Sequence, residues 1–111
     1  MIQRRDPHAQ VPTDSPSGRQ VIAIQEDRVR EEANRLTEQL AAGVHSADGR
    51  LALDFAAVNY VRSEDLGALI ALHKRVEVNG GRLTLLNVRP LVSGVLSVTR
   101  LDTLFDVRQA S

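Results

Sequence analysis

Apolar positions along the chain alternate between two spacings, and the alternation lays out the elements. Gln20 to Ile24, QVIAI, is a β-branched run that predicts a strand. After a polar break at Gln25-Glu26-Asp27, apolar residues recur at Val29, Ala33, Leu36, Leu40 and Val44, one face of an amphipathic helix. Glu31 and Glu32 fall in its first turn, where the helix dipole favours negative charge. Gly43 and the polar HSADG segment end it. LALDF, residues 51–55, is apolar at most positions and predicts a strand covered on more than one side. From Leu66 a broad apolar surface at Leu66, Leu69, Ile70, Leu72 and Val76 predicts a second helix, stopped by Asn79-Gly80-Gly81. RLTLLNV, residues 82–88, is the third strand. PLVSGVLSVTRL fits either period, and proline at a first helical position favours a short helix. Leu104 to Val107 reads as a last short strand or a docking tail.

Strands separated by single helices pair in parallel through right-handed crossovers. The loops that follow the strands, near residues 25–30, 58–64 and 88–91, therefore share one edge of the sheet, where function in such sheets gathers. The first nineteen residues hold three of the four prolines and no hydrophobic period, which predicts a flexible arm over 1–19 and a single domain over 20–111. Val11 and its neighbours offer at most a weak edge strand.

Composition narrows the chemistry. Fourteen basic and fourteen acidic residues cancel, with no one-sided basic cluster, so direct nucleic-acid binding is not expected. The absence of cysteine removes thiol catalysis and cysteine-ligated zinc. No apolar run reaches the roughly 18 residues a membrane span requires, so no membrane insertion is expected and the protein is read as soluble and cytoplasmic. His8, His45 and His73 lack ligand spacing, so no metal or other cofactor is expected, and His73 is placed at a helix flank. No nucleophile, oxyanion device or glycine-rich phosphate loop accompanies Asp54 and Asn59, which argues against an enzyme; Asp54 instead orders its strand end by bonding loop amides.

The most informative stretch is NYVRSEDLGALI, residues 59–70, in which a polar knot stands between an apolar strand and an apolar helix. Ser63 occupies the place of an N-cap, followed by Glu64 and Asp65 in the first turn. One reading is that it only caps. The other is that it accepts a phosphoryl group, since a helix N-terminus welcomes an anion.

The run from Leu51 to Val107 resembles the STAS domain, the module shared by anti-sigma factor antagonists and sulphate transporters. The resemblance spans residues 20–108 and rests on Asp54 at a strand end, on Ser63, Leu66, Gly67 and Leu69, and on the Gly80-Gly81 turn. Asn87-Val88 and Leu101-Asp102 with Leu104-Phe105 complete it. It implies an α/β fold: a single STAS-like domain with a four- to five-stranded, mostly parallel mixed sheet flanked by helices, and no catalysis. It further implies an anti-sigma factor or serine kinase as protein partner, with Ser63 as phosphoacceptor and nucleotide held by the partner. The chain departs from the family at Arg62, Glu64 and Asp65, where the family has aspartate, a small hydroxyl and glycine. Two charges so placed imply a loop held permanently negative. The expected partner-binding edge comprises Asp27, Asn59, Arg62, Ser63, Glu64, Asp65, Leu66 and Arg89. The alternatives are a small subunit docking on a transporter ATPase and a small-molecule or nucleotide-binding regulator.

Overall fold

The β-branched start of the domain becomes a strand because it alternates sides. Ile22 and Ile24 face inward, and Ala23 faces out. The computed structural model describes residues 20–42 and 50–110, so the arm over 1–19, Val44, His8 and His45 lie outside the described residues. The order is β1 (Gln20–Gln25), a 3₁₀ turn at Glu26–Arg28, α1 (Val29–Ala41), β2 (Arg50–Ala57), α2 (Ser63–Val78), β3 (Arg82–Val88), α3 (Pro90–Val98), a 3₁₀ turn at Leu101–Thr103 and β4 (Asp106–Gln109).

The four strands form one sheet in sequence order, and every neighbouring pair is parallel. Any antiparallel member that would make the sheet mixed is absent from the described residues. The ambiguous segment is helical, with Pro90 at its first turn. The last strand starts two residues later than the pattern of Leu104–Val107 implies, because Leu104 is still in a turn and Phe105 drops into the core.

Register places Ile22, Leu53, Leu85 and Val107 in one row across the sheet. This row joins a single apolar cluster with Val29, Ala33 and Leu36 of α1, Leu69, Leu72 and Val76 of α2, and Val92 and Leu96 of α3. The three helices therefore cover one face, as right-handed crossovers between consecutively ordered strands require. The next row, Val21, Ala52, Thr84 and Asp106, faces the other way with shorter or more polar side chains.

Two turns set helix and strand ends. Gly80 takes φ +86 and supplies the left-handed stop after α2, while Asn79 stays at φ −86. Asn87 adopts φ 55 at the end of β3, where the β3–β4 register also shifts. His73 is not at a flank: it is buried on α2, edge-on to Phe105 with ring centroids 5.6 Å apart. The long apolar stripe of α2 rotates it inward between Leu72 and Val76.

Candidate functional site

Parallel strands all end on one side, so the loops after β1, β2 and β3 meet along a shared edge. Three hydrogen bonds, each closing a span of 33 residues, stitch these loops and the strand ends beside them together. The backbone N–H of Asn59 donates to Glu26 Oε1 at 2.7 Å, tying the loop after β2 to that after β1. Asn87 Nδ2 donates to Asp54 Oδ1 at 3.1 Å, and the Ala56 N–H donates to the same oxygen at 2.9 Å. Arg89 Nε donates to the Ala56 carbonyl at 2.9 Å. Asp54 thus lies inside β2 and ties the last residues of that strand to β3, through the Ala56 amide and the Asn87 side chain, rather than bonding loop amides.

The knot after β2 is arranged differently from its sequence reading. The cap of α2 is Arg62, extended at φ −103 and ψ 168, whose carbonyl accepts the Leu66 N–H at 3.0 Å. Ser63 is therefore the first helical residue, exposed rather than capping. Asp65 takes over the capping role by turning back, its Oδ2 accepting the Arg62 backbone N–H at 2.9 Å. This is half a capping box, because a guanidinium has no acceptor to return the bond. Asp65 is 1% exposed, and its Oδ1 has no partner among the described residues. The expectation that Asp65 adds partner-facing charge is thereby corrected. Its carboxylate is folded under the loop, next to the positive end of the helix.

Other expected residues distribute as follows. Asp27 is exposed on the 3₁₀ turn, Asn59 is exposed, and Arg62 is half exposed with its Nε 3.6 Å from Asp65 Oδ2. Glu64 points to solvent. Leu66 is half-buried against the core, so it contributes less outward apolar surface than its spacing implies. Arg89 is exposed at the same edge. The exposed corner is thus Asp27, Asn59, Arg62, Ser63, Glu64 and Arg89.

Two contributors escape sequence reasoning. Glu26 holds Asn59 across a distance only the fold reveals. Tyr60 is 47% exposed beside the knot, and an aromatic in a polar loop of a chain with 3% aromatic residues was the available signal. Gly67 lies one turn after Ser63 on the same side of α2. A Cβ there meets nothing, so the glycine leaves low, accessible backbone beneath the serine.

Among the described residues no group of histidine and acidic side chains is placed to hold a metal. No helix among them is long and apolar enough to cross a membrane.

The chain matches the model of the family described as Mlab, STAS domain, over residues 11–107. It is similar in fold to the Thermotoga maritima protein TM1081, whose crystal structure bears the name of a candidate anti-sigma factor antagonist. The two share 19% identity over 88% of this chain and 85% of the other, with a TM-score of 0.67. The NMR structure of TM1081 aligns over 99% of this chain and 89% of that one at the same 19% identity, with a TM-score of 0.69. An anti-sigma-factor antagonist (STAS) domain protein from Planctomyces limnophilus shares 23% identity over 84% and 83% of the two chains, with a TM-score of 0.63.

Proposed function

The chain belongs to the Mlab, STAS domain family, and on that premise we propose that it is a non-enzymatic regulatory module that works by binding another protein through the Ser63 corner. The observation that carries this reading is the stitched edge. Glu26 to Asn59 and Arg89 to Ala56 lock three loops into one surface, with an exposed serine at the start of a sixteen-residue helix. Rigid presentation of mixed charge suits recognition, since fixed loops lose little entropy on binding. Nothing along the corner pairs a base with a nucleophile, which supports binding over catalysis.

The partner is an anti-sigma factor of the serine-kinase type, and Ser63 is its phosphoacceptor. The first-turn amides and the helix dipole accommodate an anion there. With Asp65 turned under the loop, Glu64 is the one carboxylate of the knot that faces a partner. Glu64 holds the corner partly in the charged state that phosphorylation would create. Glu64→Ser is therefore expected to strengthen partner binding, and phosphorylated Ser63 to weaken it.

Affinity capture from the native cell with intact mass measurement of the bait tests the reading. Expected are an ATP-binding anti-sigma protein, loss of its capture with Ser63→Trp, and a mass increment of one phosphoryl group that Ser63→Ala removes. Capture of a transporter ATPase instead would assign the corner to subunit docking. A thermal shift with nucleotide but no protein partner would assign it to small-molecule binding. Capture indifferent to Ser63→Trp would overturn the corner as the binding surface.

A further inference from the structure

We propose that the outer face of α3 is a docking groove for an amphipathic helix of the partner protein, apolar through its middle turns and acidic at both ends. The proposal rests on the protein-binding reading above and extends its surface away from Ser63. From Pro90 to Thr99 the chain has no charged residue. Val92 and Leu96 are buried, yet on the opposite side Leu91 is 63% and Val98 85% exposed. Together with Pro90, Gly94, Val95 and Thr99 they line an open groove of 360 Å³. Single exposed apolar residues are ordinary. Here the spacing 91, 94–95, 98 makes one continuous apolar stripe over two turns, a second apolar face beside the polar Ser93–Ser97 stripe and apart from the one that Val92 and Leu96 bury.

Gly94 is the second observation. It sits in the middle of α3, where glycine weakens a helix relative to alanine. The fold does not require it, because a Cβ there meets nothing within 4 Å and its backbone is not left-handed. Its effect lies outside the chain: it leaves a notch between Leu91 and Val98 into which another backbone can come close. This is the geometry of helix-in-groove recognition, read by apolar anchors one and two turns apart.

Charge selects the occupant. Arg89 caps the N-terminal end of the groove and Arg100 follows its C-terminal end, both exposed. Arg89 uses Nε on the Ala56 carbonyl, which leaves its terminal amino groups for a ligand. The ion pairs among the described residues do not include Arg100 or its neighbour Asp102. A second copy of this chain fits poorly. Antiparallel pairing about Gly94 brings Arg89 of one copy onto Arg100 of the other, and parallel pairing sets each arginine against itself. An apolar helix with carboxylates at both ends satisfies both cations.

The test uses the full chain and two synthetic helical peptides about four turns long, sufficient for partial helicity. Both carry leucines at positions one and two turns apart, one with glutamates at each end and one with lysines. Amide NMR shifts map the site and fluorescence anisotropy gives the affinity. Expected are shifts confined to residues 89–100, at least tenfold tighter binding of the glutamate peptide, and a preference that narrows with salt. Gly94→Leu and Val98→Asp should each weaken it tenfold or more while thermal melts show the fold intact, and Arg100→Glu should reduce the preference. Equal affinity for the two peptides, or shifts elsewhere, would overturn the proposal. So would sedimentation showing a dimer that Val98→Asp dissolves, since the occupant would then be a second copy. Failure of peptide binding with Ser63-dependent capture intact sinks the groove alone. Peptide binding with capture indifferent to Ser63 sinks the corner alone.

Discussion

Asp65 Oδ2 accepts the backbone N–H of Arg62 at 2.9 Å while the Arg62 Nε stands 3.6 Å from the same oxygen. The knot that appears in the sequence as a string of surface charges is therefore partly a cap. Asp65→Ala should lower stability by about 1 kcal/mol, the usual loss of a helix cap. Glu64→Ala, at an exposed position, should stay within roughly 0.5 kcal/mol. Urea denaturation of both variants checks the ordering, and equal losses would show that Asp65 is only one more surface charge.

Gly67 and Gly80 should respond in opposite directions to alanine. Gly67 is helical with open space at its Cβ position, so Gly67→Ala should raise stability by up to about 1 kcal/mol and weaken partner capture. Gly80 is at φ +86, and Gly80→Ala should cost about 1–2 kcal/mol with no effect on the binding corner beyond that loss. Denaturant midpoints and capture, measured on the same preparations, separate the two effects.

Asp106 gives the β4 edge a pH dependence. The hydrogen bond from Arg108 holds its carboxyl below the usual carboxylate range. Partial burial opposes this, while the Arg108 and Arg82 charges and the Thr84 hydroxyl assist. A carboxylate lowered in the folded state stabilises the fold above its unfolded pKa of about 3.9, and that contribution disappears as pH falls through the lower folded value. Thermal melts should therefore decline on acidification below about pH 4, and Asp106→Asn should flatten that part of the profile. An unchanged slope in the variant would place the acid sensitivity elsewhere.

The two exposed faces and the core should diverge in mutational cost. Phe105 is fully buried against His73, and Phe105→Ala should cost about 3–5 kcal/mol. Val98→Ala, on the outer face of α3, should change stability by no more than roughly 0.5 kcal/mol. Chemical denaturation compares them directly. A large loss at Val98 would mean that this side of α3 is already covered.

Hydrophobic spacing was enough to place β1, α1, β2, α2 and β3, because each buries apolar positions that local sequence displays. Pro90 resolved the one ambiguous segment correctly, since a proline at a first helical position loses no hydrogen bond. The tail was less legible: Leu104 and Phe105 have equal apolar character, yet one stays in the turn and the other enters the core. His73 was misplaced for a similar reason. A histidine is read as polar from sequence, and only packing against Phe105 shows that its ring is accepted inside.

At the corner, the residue types were visible and their directions were not. Ser63 and Asp65 stand two positions apart in one turn. Whether serine caps and aspartate faces outward, or aspartate folds back and serine stands free, depends on where the chain leaves β2, which Glu26 fixes through Asn59 from 33 residues away. Periodicity is a local property, so the sequence by itself determined the elements through α3, the parallel pairing of their strands and the edge where their loops gather. Which charges face a partner is a non-local property, and only the tertiary structure decided it. The hydrogen bonds that orient the loops join segments that meet after the sheet has formed.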